Sequence, residues 1–442
     1  MSGLAKALKS ISFAAEPVVT GRVTDVGPLI IQAKMPRVFV GELCHIQTDY
    51  PHSNSIPCEV VGIRDGACLL MPFPNIESLS VGSRVVPTGH RFRVLCGEGL
   101  LGRVLGGMGQ PIDGKGALID CSEWRDVAQD PPRPLERPLI REVVYSGVKV
   151  IDSMLTWGKG QRLGIFSGSG VGKSTLFGMI ARNSSADVNV VGLIGERGRE
   201  VREFIEGSLG EEGLKRSIVV SVTSDESPIM RVKGALVVHT IAEYFRDKGK
   251  DVLLLLDSLT RYTYALREVG LSMGEPPTTR GYTPSVYAKI PQLCERCGKT
   301  DKGSITGLYT VLVEGDDVNE PVGDIAKSVL DGHITLSRKL AERNQYPPVD
   351  VLSSISRVMV EIVKAEQLET AAWAREILST YRDSEDLINI GAYVRGTNPK
   401  IDFAVDNIDK LIAFFKQGID ERQNYDMALS DFLALRTPRA SA

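Results

Sequence analysis

Long apolar runs are missing from this 442-residue sequence, and so is any strong excess of charge. No stretch approaches the ~18–20 uninterrupted apolar residues that a membrane-spanning helix needs. The opening "MSGLAKALKSISFAAEP" has no long apolar core and no obvious cleavage site. A secretory leader is therefore not expected, and the cytoplasm is the expected compartment. Lysine and arginine number 52 against 55 aspartates and glutamates, a net charge of −3. That balance argues against a broad basic surface, so nucleic acid is not an expected partner, although a local basic patch remains open. The seven cysteines are few, odd in number and mostly set inside apolar runs. They read as reduced, buried thiols. The one CxxC, "CERC" at Cys294 and Cys297, has no second CxxC or HxxxH beside it. A tetrahedral zinc site wants four ligands, so no metal is expected there.

What is present is ordinary globular material, with 43% hydrophobic and 24% charged residues. The length exceeds one ordinary core and implies two or three domains. Residues 17–92 read as short strands. "VVTGRVTDVGPLIIQA" and "FVGELCHIQT" alternate apolar and polar residues between glycine turns, which predicts a small β-barrel or sandwich. Residues 93–146 form a connector rich in glycine and proline ("LGRVLGGMGQPIDGKG", "PPRPLERP"), a boundary or rigid strap. From about 147 to 360, wholly apolar strands alternate with helical segments: "RLGIFSG", "NVVGLIG", "SIVVSVT" and "DVLLLLDSL" each precede a helix. That pattern predicts a parallel sheet covered on both faces. Residues 361–442 read as a helical C-terminal domain. Leu4, Leu8 and Ile11 share one helical face, so residues 1–16 fit a short partner-binding helix or a frayed terminus equally well.

"IFSGSGVGKSTL" (165–176) carries the chemistry. An apolar strand opens into a glycine loop that ends in lysine, a hydroxyl and a new helix, the setting a phosphate loop requires. Gly168, Ser169, Gly170, Val171 and Gly172 would turn backbone N–H groups onto phosphate oxygens, ahead of Lys173, Ser174 and Thr175 at the helix start. Lys173 would reach the β- and γ-phosphates, and Ser174 would place its hydroxyl on Mg²⁺. Ser167 stands where the usual pattern has glycine, at a position that only begins the turn. "DVLLLLDSLTRY" delivers Asp257 at a strand end, where a carboxylate can orient Mg²⁺ through water or cap the next helix. "GLIGERGRE" places Glu196 at another strand end. There it can polarise an attacking water, and by spacing alone it can equally begin a solvated helix. Tyr346 precedes two prolines and can stack on adenine or on its own loop. Arg357 in "SSISR" can complete a neighbouring phosphate site or be an ordinary surface arginine.

The segments "GSGVGKST", "GERGREVREF", "LLLLDSLTRYTYALREVG", "GSITGLYTVLVEGDDVNEPVGD" and "DGHITLSRKLAERNQYPPVDVLSSISR" follow one another in that order. Together they resemble the ATPases of type III export, which are related to the catalytic subunits of rotary F-type ATP synthases. The resemblance runs from about residue 17 to 436, and the tail "YRDSEDLINIGAYVRGTNPKID" looks like the flagellar branch. It implies an α/β protein with a RecA-like P-loop NTPase core and a parallel sheet, a small β-barrel before it and a helical domain after it. The divisions would be 1–16, 17–92, 93–360 and 361–442. It further implies ATP and Mg²⁺, with Lys173 on the phosphates and Ser174 and Asp257 at the metal. Glu196 would activate water, Arg261 would lie near the γ-phosphate, Tyr346 would pack on adenine, and Arg357 would be an arginine finger given across a subunit boundary.

The implied assembly is a homohexamer at the inner face of the cell membrane. Its implied partners are a stator-like regulator at the N-terminus, a central stalk protein, an export gate, and chaperone–substrate complexes at the helical domain. "CERC" matches nothing in this scheme. Other readings are a virulence injectisome ATPase, a rotary synthase subunit, a ring helicase with an oligonucleotide-binding barrel, and a non-hydrolysing ring subunit. The acidic balance disfavours the helicase.

Overall fold

A computed structural model describes residues 19–47, 55–76, 79–313 and 321–436. The segment expected to bind a partner, residues 1–16, lies outside the described residues. The chain divides after Phe92 into two compact units.

In the first unit, strands β1 (Gly21–Val26), β2 (Ile31–Lys34), β3 (Glu42–Gln47), β4 (Ile56–Arg64), β5 (Ala67–Pro72) and β6 (Arg84–Arg91) close into a barrel. The order is β1–β2–β5–β4–β3–β6, and β6 returns to pair with β1. The period-two pattern explains the curl: in β2, Ile31 and Ala33 point inward while Gln32 and Lys34 point outward. The small interior is filled by residues such as Val23, Ile46, Val60, Leu70 and Val85. The β4–β5 turn is two residues long. Asp65 and Gly66 both take positive φ, +52° and +73°, the turn sense that matches strand twist. Of the two architectures open from the sequence, the closed barrel is the one formed.

The second unit is built on an open sheet. Its strands are β7 (Val104–Leu105), β8 (Arg162–Ser167), β9 (Val188–Glu196), β10 (Ser217–Thr223), β11 (Asp251–Asp257), β12 (Ser304–Leu312), β13 (Gly332–Leu336) and β14 (Val349–Ser356). They lie in the order β14–β13–β8–β12–β11–β9–β10–β7, parallel throughout except for the β13–β14 pair. Strands β9, β11 and β12 are buried along almost their whole length, which is why β9 and β11 read as largely apolar runs rather than alternating, while β12 adds buried hydroxyls at Ser304, Thr306 and Thr310. The connector is built into this second unit: Val104 and Leu105 extend the sheet beyond β10, and Arg93–Gly97 pairs with Cys121–Asp126. A two-residue strand between glycines shows no periodicity, so no sequence pattern marks it.

Helices α1 (Lys173–Asn183), α2 (Gly198–Glu203), α3 (Pro228–Asp247) and α4 (Leu259–Ser272) follow β8, β9, β10 and β11 in turn. Ser227 caps α3 by accepting from the Met230 N–H, with Pro228 at the first turn where its missing donor costs nothing. The C-terminal helices α5 (Ala365–Asn389), α6 (Pro399–Phe415) and α7 (Tyr425–Arg436) share one apolar core with the sheet: Ile377, Leu411, Phe415 and Phe432 join Leu163 and Ile165. Buried amides fasten them. Gln367 Nε2 donates to the Thr156 hydroxyl at 2.8 Å, and Gln417 Nε2 donates to the Gly147 carbonyl at 2.9 Å. Among the described residues no helix is long and apolar enough to cross a membrane.

Candidate active site

The carboxyl ends of β8, β9 and β11 lie on one edge of the sheet and bring three sequence-distant groups together. The loop after β8 runs over Gly168–Gly172 into α1. Gly170 and Gly172 take φ of +76° and +94°, a backbone region that disfavours side chains. Ser167 sits before that bend, still on the strand and 2% exposed, and its carbonyl accepts from the Val313 N–H at 3.1 Å. Its φ is not positive, so nothing at that position requires glycine.

Lys173, at the first turn of α1, reaches across to the end of β11, where its Nζ lies 2.5 Å from Asp257 Oδ1. It stands 3.8 Å from Glu196 Oε1, too far for a hydrogen bond. Burial alone would depress the Lys173 ammonium, but the facing Asp257 and Glu196 carboxylates outweigh it and hold its pKa above the ordinary value. Glu196 is pushed the other way, up to about 8, first by burial and then by the charge of Asp257, with Lys173 only partly offsetting both. A side-chain hydrogen bond with Glu200 in α2 adds to that rise and lowers the Glu200 pKa in turn. Glu196 Oε1 is buried without a hydrogen-bond partner.

Arg261, in the first turn of α4, lies against the strand that carries Glu196. A β-carbon on Gly195 would sit 2.8 Å from Arg261 Cβ, and Gly195 has φ +75°. Arg261 Nε is also buried without a partner. A cleft of about 870 Å³ opens over these groups, lined by the loop, Lys173, Ser174, Glu196, Arg261 and Arg338. That volume suits a ligand of nucleotide size. Tyr346 is 46% exposed, and its ring edge (Cε1) lies 3.9 Å from where a Gly172 β-carbon would be, so the ring stands beside the phosphate loop.

Arg357 does not join the cleft of its own chain. It follows β14 on the surface, and its Nη2 donates to the Lys327 carbonyl at 3.2 Å. Cys294 and Cys297 are buried, with Cys297 Sγ 3.1 Å from Tyr309 Oη, and burial pushes both thiols up, Cys297 to about 11.

Nothing in the sequence marks Arg338 as a cleft residue. Its Nη2 donates to the Ser169 carbonyl at 3.1 Å, from a helix start whose sequence, "LSRKLAE", looks like any solvated helix. Glu200 and Tyr264 also line the cleft without a distinguishing signal.

Three family descriptions cover these parts of the chain. "ATP synthase alpha/beta family, beta-barrel domain" matches residues 23–89, and "ATP synthase alpha/beta family, nucleotide-binding domain" matches 147–356. "T3SS EscN ATPase C-terminal domain" matches 363–434. The "Flagellum-specific ATP synthase" of Bacillus subtilis is 54% identical over 401 residues, 91% of each chain. The chain belongs to the type III secretion ATPase family. The "Type 3 secretion system ATPase" of Xanthomonas euvesicatoria is 47% identical over 92% of each chain. Among solved structures, the assembled ATPase EscN of enteropathogenic E. coli superposes with a TM-score of 0.89 at 41% identity, covering 94% of this chain and 99% of that one. EscN in complex with its central stalk EscO gives 0.87 at 40% identity over the same shares. As a type III secretion ATPase this protein is an ATP hydrolase. The order of barrel, parallel-sheet nucleotide-binding domain and helical C-terminal domain is that of the family.

Proposed function

We propose that this chain hydrolyses ATP with Mg²⁺ to energise substrate unloading and export by a flagellar type III apparatus. The observation that carries the hydrolytic part is the meeting of Lys173, Asp257 and Glu196 beneath the glycine loop, with Arg261 left holding an unused buried donor. The oxygen set fits a hard divalent cation: the Asp257 carboxylate, the Ser174 hydroxyl and the orphaned Glu196 Oε1 lie in or beside the cleft. Mg²⁺ held by Ser174 and Asp257 would supply positive charge against the phosphate oxygens. Gly168–Thr175 orient the triphosphate through backbone N–H groups, and Tyr346 offers a face to the adenine. Lys173 releases Asp257 and turns to the β- and γ-phosphates. Glu196, once ionised, takes the proton of the attacking water. Arg261 steadies charge on the γ-phosphate, and Arg357 of a neighbouring copy completes the site.

Supporting the flagellar branch, the "Flagellum-specific ATP synthase" of Bacillus subtilis is 54% identical; other relatives of that name span 45–49%, a range that includes the 47% of two type 3 secretion system ATPases. The reading includes a homohexamer, a central stalk in its pore, a stator-like regulator at residues 1–16, chaperone–substrate complexes at the helical domain, and a cytoplasmic station against the export gate at the membrane. The EscN–EscO complex supports the stalk. Glu196→Gln tests the chemistry. Turnover should fall by at least ~10³-fold, as expected for loss of a positioned base together with its charge, while ATP binding and assembly persist. Near-parental turnover in that variant refutes the role of Glu196. Loss of motility and filament export on deletion of the gene tests the flagellar assignment.

A further inference from the structure

Strand β12 lies between the strand that feeds the phosphate loop and the strand that ends in Asp257. Of its three buried hydroxyl residues, Ser304, Thr306 and Thr310, the last is the one that meets Asp257. Thr310 is fully buried between Tyr309 and Val311, and its Oγ1 lies 2.8 Å from Asp257 Oδ1. The alternative acceptor, the Leu256 carbonyl, is 3.3 Å away. A hydroxyl has one proton, and the shorter contact to a charged oxygen takes it. Asp257 Oδ1 therefore receives two donors, Thr310 and Lys173. The two differ in permanence. Lys173 sits on a long flexible stem and is drawn away by phosphate. Thr310 is β-branched, stiff at χ1 and fixed within the neighbouring strand.

We propose that Thr310 is a positioning residue that keeps the Asp257 carboxylate aimed into the cleft when Lys173 leaves it for the nucleotide. This rests on the reading of Asp257 as the cation-orienting carboxylate. A purely structural role would be a buried hydroxyl satisfied on its neighbour's backbone, with no influence on how the site takes a divalent cation. The positioning role makes a different demand. Without the hydroxyl, a buried carboxylate loses its lasting donor and its orientation at the moment the cation must be held.

The test uses the full chain, a fluorescent ATP analogue and Mg²⁺ titrations of both analogue binding and ATPase rate. Thr310→Val keeps the shape and removes the donor; Thr310→Ser keeps the donor. In Thr310→Val, Mg²⁺ half-saturation should rise about tenfold in both titrations, the scale of one lost hydrogen bond to a charged group. Mg²⁺-free analogue binding should match the parent, melting should fall by no more than one lost hydrogen bond costs, and Thr310→Ser should behave as the parent. Should Thr310→Val not fold, Thr310→Ala carries the same expectation. Parental Mg²⁺ half-saturation in the hydroxyl-free variant overturns the proposal, and so does a loss of Mg²⁺-free binding as large as the Mg²⁺-dependent loss. Asp257→Asn separates the two layers. If it raises the Mg²⁺ requirement and Thr310→Val does not, only the role of Thr310 fails. If Asp257→Asn leaves the requirement unchanged, the reading of Asp257 fails and takes the proposal with it.

Discussion

On the proposed mechanism Glu196 acts as a base, although its surroundings work against ionisation. Burial and Asp257 together push its pKa up to about 8, and the Lys173 ammonium at 3.8 Å is too distant to reverse them. The sign follows directly. The ionised form is the working form, so kcat/KM, which reports the free enzyme, should rise with pH and reach half its plateau near pH 8. A pH profile at saturating Mg²⁺ checks this, and a limb near the ordinary carboxylate range would contradict the assigned environment. Lys173, Ser174 and Asp257 are legible as site candidates in the sequence, because strand, glycine loop and helix follow one another along the chain and an acidic strand end accompanies them. Glu196 is only half legible: its neighbours Arg197 and Arg199 are 79% and 86% exposed at the side chain, and they give the segment the look of a solvated helix. Arg338 and Thr310 are not legible at all. Their contacts, to Ser169 and to Asp257, arise only when separate elements are folded side by side.

At the scale of elements, β9 and α4 approach closely at Gly195 and Arg261. Gly195 allows the strand to turn at φ +75° and leaves room for the Arg261 stem. Gly195→Ala places a β-carbon 2.8 Å from Arg261 Cβ in a disfavoured backbone region. It should destabilise the protein by ~1–3 kcal/mol and displace Glu196 and Arg261 together. A denaturant midpoint measured beside the turnover rate checks both effects, and parental values for the pair would show that the junction has slack. The parallel strands are legible because full burial writes itself as unbroken apolar runs, as in "DVLLLL" of β11. Strand β7 leaves no such trace at two residues. The choice of barrel over sandwich is made by pairing between β6 and β1, which are distant in sequence. The sharing of one core by the sheet and α5–α7 depends on partners such as Gln417 with Gly147, again distant in sequence.

At the scale of the whole molecule, the cleft gathers Lys173, Glu196 and Arg261 but leaves Arg357 on the surface, where its guanidinium donates to the Lys327 carbonyl and its backbone N–H to the Asp331 carbonyl. An arginine placed in that way can act at a phosphate site only from a second copy, and the account assigns it to the neighbour's γ-phosphate. Arg357→Ala should then lower turnover by ~10³-fold or more, the scale of a lost arginine finger, while nucleotide still binds in the variant's own cleft. The most direct measurement mixes two inactive proteins. Glu196→Gln lacks the base but keeps the arginine, and Arg357→Ala keeps the base but lacks the arginine. In mixed rings confirmed by size, some boundaries unite an intact Glu196 with an intact Arg357. ATPase activity should return toward about a quarter of the parental rate at equal proportions, the random share of such boundaries in a closed ring. No recovery in verified mixed rings, or parental activity in Arg357→Ala alone, would contradict a site shared between copies.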